Sequence, residues 1–118
     1  MSGSVRIKLC GIQSVAEAQG AVEAKADLIG VNFVPGSPRE VDIPTAEAIC
    51  KAVSGSGVER VALFRDASWD DIEHVLRRCD FDRVQLHGEE TEEEVEQVDL
   101  PVIKAIRGAD LEAAETYP

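Results

Sequence analysis

Val5-Arg6-Ile7-Lys8-Leu9-Cys10 is a short, β-branched run in which apolar and polar residues alternate. Strand geometry sends Val5, Ile7 and Leu9 to one face and Arg6, Lys8 and Cys10 to the other. A strand covered by helices on both sides is apolar on both faces; this one is not. Charged groups along one strand face fit the inside of a closed cylinder, where they pair with one another or reach a ligand. A later run repeats the pattern: Gln85 and His87 share one face, Val84 and Leu86 the other. Lys104 adds a polar residue late in the last run. Several strands thus aim polar side chains at one place near their C-terminal ends, the end that carries the ligand site in parallel α/β folds.

The rest of the chain alternates with these runs. Residues 14–24 read as a helix opened by the capping-box pattern Ser14-x-x-Glu17. Residues 27–34 read as the second strand, and Pro35-Gly36-Ser37-Pro38 as a loop, because two prolines and a glycine interrupt either ladder. Residues 44–53 form the second expected helix, with Pro44 tolerated in its first turn. Strand three covers 58–64, helix three 68–79, strand four 83–86, helix four 91–98 and strand five 102–106. Asp110 to Thr116 opens a fifth helix. Regular βα alternation at this spacing argues for a parallel sheet with crossover helices. Residues 1–118 read as one domain, without a linker or low-complexity tract.

Composition narrows the function classes. The chain has 118 residues, 44% of them hydrophobic, which excludes wholesale disorder. The 23 acidic residues outnumber the 12 basic ones, for a formal charge of -11. A nucleic-acid or anionic-membrane partner is not expected. A carboxylate-rich, Lys-poor surface suits a high-salt habitat. The glutamates between 89 and 94 sit at the start of helix four, where they complement the positive end of its dipole. The three cysteines form no C-x-x-C pair and, with His74 and His87, no zinc spacing. A reduced, cytoplasmic setting follows. Cys50 and Cys79 lie within helices and read as packing, Phe33 and Phe64 as core, His74 as surface.

A wider pattern joins these pieces. Lys8-Leu9-Cys10-Gly11-Ile12 ends strand one, and Ser37-Pro38-Arg39 follows strand two. Leu63-Phe64 ends strand three, Val84-Gln85-Leu86-His87-Gly88-Glu89-Glu90 ends strand four, and Val102-Ile103-Lys104-Ala105 forms strand five. This series, in order and spacing, resembles the phosphoribosylanthranilate isomerases of tryptophan biosynthesis. The resemblance implies an incomplete (βα)8 TIM barrel, strands one to five with their helices. A flavodoxin-like five-stranded parallel sheet is the alternative. It also implies an Amadori rearrangement of a phosphoribosyl anthranilate to an open-chain ketose, by proton transfers that need no cofactor and no metal. Cys10 matches the family's general base, and Lys8 on its strand face is a cation placed to favour the thiolate. Arg39 matches the residue that faces the anthranilate carboxylate, a geometry suited to a guanidinium fork. Gln85 and His87 match residues lining the substrate pocket.

The departures are as specific. The family's general acid, an Asp ending strand six, and its glycine-rich phosphate turns after strands seven and eight have no counterpart here. Asp110 stands in the wrong place to replace that acid, and Arg65-Asp66 follows strand three where relatives carry a more apolar residue. The 118 residues are therefore expected to be inactive by themselves; a fragment or truncated gene is the favoured reading, ahead of pairing with a complementing C-terminal half or with a second copy. A non-catalytic half-barrel binding or assembly module is the competing reading. A receiver domain is excluded, because strand one ends in Leu9-Cys10-Gly11 without an acidic pair.

Overall fold

The computed structural model describes residues 6–88, 92–96, 98 and 100–104. The strands are β1 (Lys8–Leu9), β2 (Leu28–Asn32), β3 (Glu59–Phe64), β4 (Arg83–Leu86) and β5 (Val102–Lys104); the helices are α1 (Val15–Glu23), α2 (Ile43–Ala52), α3 (Trp69–Arg78) and α4 (Glu92–Glu96). All neighbouring strands are parallel, in the order β1-β2-β3-β4-β5. That order decides between the two expected folds. A flavodoxin-like sheet reverses its winding and runs 2-1-3-4-5, with helices on both faces. Here the chain always steps to the next strand, α1 packs on α2 and α2 on α3. The flavodoxin-like alternative is therefore wrong; the sheet is an unclosed stretch of barrel wall.

Each helix starts where its sequence supplies a cap. Ser14 accepts from the Glu17 amide at 3.1 Å, and Ser68 from the Asp71 amide at 3.1 Å. Asp42 caps α2 by accepting from the Thr45 amide at 2.9 Å; hydrogen bonding from the Thr45 side chain, and then from that amide, holds its carboxyl below the usual range. The Glu17 carboxylate accepts from the Gln13 amide at 2.7 Å, one residue before the cap that a capping box would close on. The expected fifth helix, and the Thr91 cap of α4, lie outside the described residues.

The two sheet faces are chemically distinct. Ile29, Val31, Ala62, Phe64, Val84 and Leu86 point outward and pack with Ala18, Ala46, Ile49, Ile72 and Val75 of the helices. Phe33 stacks on Phe64 at 5.4 Å and meets Phe81 edge-on at 5.7 Å. On the inner face Leu28, Val61 and Leu63 form a separate small cluster. In register, Lys8 pairs with Leu28, Leu28 with Glu59, Val61 with Arg83, and Leu63 with Gln85. Lys104 stands opposite Leu86, and Ile103 is in line with Gln85.

Charged groups at the lower end of the inner face pair with one another, as the alternation on strand one implied. Glu59 accepts from Arg83 and from Arg6, the latter at 3.1 Å. On the outer face Asp82 accepts from the Arg60 side chain at 3.1 Å and its amide at 2.8 Å. The Arg83 and Arg6 contacts hold Glu59 below its ordinary range despite slight desolvation. For Asp82 burial acts upward, but the Arg60 bonds outweigh it and the net shift is down. Both groups therefore add stability above their unfolded values, about 4.3 and 3.9, and lose it as pH falls through the folded ones. The urea midpoint is expected to fall between pH 5 and pH 3, and to fall less in a Glu59→Gln, Asp82→Asn variant. An equal slope in both proteins would show that these pairs do not drive the acid transition.

Candidate active site

The upper mouth of the sheet is built around a glycine. β1 ends at Leu9, and Gly11 turns the chain toward α1 with φ near 77°, a backbone region that L side chains rarely adopt. The amides of Gly11 and Ile12 both donate to the Gly30 carbonyl at 3.0 Å, which ties this turn to β2. The Arg39 guanidinium lies directly on Gly11: Nη1 donates to its carbonyl at 3.4 Å, and a Cβ on Gly11 would stand 2.7 Å from that nitrogen. Cys10 precedes this turn, and its thiol is exposed rather than packed among aliphatics.

Arg39 reaches Gly11 because the loop after β2 is held in place. Asn32 Oδ1 accepts from the Val34 amide at 2.7 Å, and its Nδ2 donates to Ser37 Oγ at 3.2 Å. Ser37 Oγ also accepts from the Arg39 amide at 3.2 Å. The prolines that exclude a strand thus leave a loop clamped at both ends by one asparagine and one serine.

A polar row crosses the inner face. The Lys8 ammonium donates to Gln85 Oε1, and Gln85 Nε2 lies 2.9 Å from His87 Nε2. Lysine only donates, so it fixes the amide oxygen toward itself and the amide NH2 toward His87. A neutral His87 then accepts at Nε2 and carries its proton on Nδ1. Gly30 leaves room for this crossing: a Cβ there would stand 3.4 Å from Lys8 Cε, 3.5 Å from Cys10 Cα and 3.0 Å from Leu63 Cδ1. Further along, a cleft of about 400 Å³ opens between the loop after β2 and the ends of β3 and β4; Asn32, Ser37, Leu63, Arg65 and His87 line it.

All five residues expected from sequence therefore sit at this upper end. Lys8, Gln85 and His87 form one chain of contacts; the Cys10 backbone and the Lys8 side chain both flank Gly30, and Arg39 lies on Gly11, next in sequence to Cys10. Two others escaped the sequence reading. Arg65 looked like a departure in a turn, yet it lines the cleft. Gly88 looked like part of a motif; a Cβ there would collide with the Asp66 carboxylate, so any other residue at 88 requires that side chain to move. The signal for Arg65 was its spacing, two residues beyond the inward Leu63.

The remaining thiols behave differently. Burial pushes Cys50 up to about 12, with Cys79 adding to the shift, and burial pushes Cys79 up to about 11. Both side chains are packed in the helix-facing core. At pH 8 iodoacetamide is expected to alkylate one of the three free thiols quickly, Cys10, and the other two only in urea. Fast modification of a second thiol in the folded chain would contradict this packing.

The comparisons with known proteins meet this geometry. The family model described as N-(5'phosphoribosyl)anthranilate (PRA) isomerase matches residues 7–117. The chain belongs to the phosphoribosylanthranilate isomerase family. The isomerase of Myxococcus xanthus is 40% identical over 117 residues, which cover 97% of this chain and 55% of the relative. The phosphoribosyl anthranilate isomerase structure from Thermotoga maritima superposes with a TM-score of 0.87 at 33% identity, covering 95% of this chain and 57% of that one. A phosphoribosyl anthranilate isomerase solved with reduced 1-(o-carboxyphenylamino)-1-deoxyribulose 5-phosphate superposes with a TM-score of 0.86 at 32% identity, covering 95% and 60%. The chain spans about half the length of the curated isomerases it matches. The unclosed sheet corresponds to that share of the isomerase barrel.

Proposed function

We propose that this chain carries the thiol-bearing side of an active site that isomerises N-(5'-phosphoribosyl)anthranilate, an aldose–ketose rearrangement in tryptophan biosynthesis. The observation that supports the reading is that Arg39 lies on Gly11, the residue after Cys10, while Lys8, on the same strand as Cys10, reaches Gln85 and through it His87. In this reading a proton delivered to the ribose ring oxygen opens the sugar to an iminium ion. The Cys10 thiolate removes the proton from the adjacent carbon, and the resulting enol relaxes to the ketone. Electrons move within the substrate, so no external oxidant or reductant is required.

The other side chains orient the ligand. Arg39 presents a guanidinium fork to the anthranilate carboxylate. Lys8 holds Gln85, and Gln85 holds His87, so the imidazole meets the ligand in one tautomer. The proton donor and the phosphate grip belong to the remaining strands of the barrel. Acid and base each contribute about 10²–10⁴-fold, so the 118 residues by themselves turn over no substrate at a measurable rate. The setting is the cytoplasm, where small phosphorylated intermediates are held.

The test is completion. Co-expression with the C-terminal half of a family member is expected to yield isomerase turnover that neither half shows. Turnover by the 118 residues without that half, or none from a folded complex, would overturn the reading. A second reading, an association module, draws on β1. Ile7 is 50% exposed and Leu9 38% exposed, and β1 pairs only with β2 among the described residues. An apolar, half-paired edge favours addition of another chain. Gel filtration that shows a dimer or larger species supports that reading, and a clean monomer opposes it.

A further inference from the structure

Asn32 does more than end β2. Its Oδ1 accepts from the Val34 amide at 2.7 Å and its Nδ2 donates to Ser37 Oγ at 3.2 Å, so the start and the middle of the loop from Phe33 to Glu40 hang on one side chain. A short planar amide supplies that acceptor and that donor at once. The Asn32 carbonyl accepts from the Val41 amide at 2.9 Å, which returns the far end of the loop to the same residue. Ser37 Oγ passes the constraint on, because it also accepts from the Arg39 amide at 3.2 Å. A second anchor ties the loop to the turn after β1. Gln13 Nε2 donates to the Pro38 carbonyl at 3.1 Å, while Arg39 Nη1 donates to the Gly11 carbonyl, so the two bonds run in opposite directions between the same two segments. The Arg39 bond is 3.4 Å long, beyond the usual range of about 2.7–3.2 Å for an N–H···O bond. It is too weak to hold a long, freely rotating side chain by itself.

We propose that Asn32 and Gln13 are positioning residues for Arg39: Asn32 through Ser37, and Gln13 through Pro38, set the guanidinium over the turn that carries Cys10. Neither acts by touching the ligand. Gln13 is exposed and stands outside the cleft lining, whereas Asn32 and Ser37 line the cleft, so the action of Asn32 through Arg39 has to be separated from direct contact. An arginine held in place before binding loses less freedom when the ligand arrives, and the saving appears as affinity. A loop without these anchors lets the guanidinium leave the thiol-bearing turn. The assignment rests on the reading of Arg39 as the group that faces the ligand carboxylate, and it adds the source of that group's placement.

The test has two arms. The first uses the chain itself, without ligand, and reads hydrogen exchange at the Arg39 amide. Asn32→Ala and Ser37→Ala are expected to speed that exchange by at least about tenfold, and Ser37→Thr, which keeps the hydroxyl, to leave it near the parent rate. The Ala46 amide, bonded to the Asp42 carbonyl at the start of α2, is the internal reference and keeps its rate. Equal acceleration at Ala46 would mean that these side chains merely hold the fold, and would overturn the proposal. The second arm uses the completed barrel and calorimetry with reduced 1-(o-carboxyphenylamino)-1-deoxyribulose 5-phosphate. Asn32→Ala is expected to weaken binding about tenfold and Gln13→Ala about threefold. In an Arg39→Met background each is expected to weaken it by less than about twofold, because the group they position is gone. Losses that persist undiminished in that background overturn the proposal, and so does unaltered affinity in both single variants or unchanged exchange at Arg39. A completed barrel that binds no ligand ends the isomerase reading, and the exchange arm then decides by itself whether Arg39 is positioned, so the two failures are distinguishable.

Discussion

Cys10→Ala in the completed barrel is expected to lower kcat by about 10²–10⁴-fold, with a much smaller change in KM. The thiolate acts only while the carbon-bound proton is leaving, so its removal costs transition-state energy and little ground-state binding. Arg39→Met is expected to show the opposite split, because a carboxylate contact is present before and during the reaction. Cys10→Ser serves as the stricter variant: the shape of the mouth persists, but a hydroxyl is far more weakly acidic than a thiol near pH 8.5. Its kcat is expected to track the alanine variant. Cys79→Ala, in the helix-facing core, tests whether any loss is specific to residue 10. A kcat for Cys10→Ala within about threefold of the parent would remove the thiol from the chemistry.

The second large effect concerns stability. Leu86→Ala is expected to cost about 2–5 kcal/mol, read from urea denaturation. Leu86 is 1% exposed and packs outward against the helices, with no room for the wall to collapse around a cavity. Leu9 lies on the same outward face, in register with Ile29, yet is 38% exposed. Leu9→Ala in this chain is expected to cost markedly less, about 1–2 kcal/mol, because more than a third of that residue stays in water on folding. A typical domain holds only about 5–15 kcal/mol in total, so the contrast separates a crippled protein from a nearly normal one. Equal costs at the two sites would mean that the covered and bare parts of the outer face have been misassigned.

Legibility differed from element to element, for physical reasons. Strand alternation exposed the inner row, because a period of two sorts Lys8 from Leu9 and Gln85 from Leu86 without any knowledge of neighbours. It could not separate a barrel from a doubly wound sheet, since strand order is a relation between distant segments. It also could not set register, which likewise depends on distant segments. Strand lengths were over-read at β1 and β2, where the β-branched pattern continues past the ladder bonds: among the described residues, 6–10 shrink to Lys8–Leu9, and 27–34 to Leu28–Asn32. Capping was legible at Ser14 and Ser68. Asp42 was missed because Ile43-Pro44 drew attention to the proline and away from the cap before it. Arg65 was read as a turn residue, since an exposed arginine after a strand looks solvated until the cleft beside it is seen.

The account rests on Cys10 standing in the same mouth as the ligand-orienting groups. Protection of that thiol tests this directly: the rate of Cys10 alkylation in the completed barrel is measured with and without saturating reduced 1-(o-carboxyphenylamino)-1-deoxyribulose 5-phosphate. Occupancy is checked independently by calorimetry. A bound ligand is expected to slow modification of Cys10 by at least about tenfold, as burial of a reactive thiol does. An unchanged alkylation rate at full occupancy would place the sulfur away from the ligand and contradict the assignment.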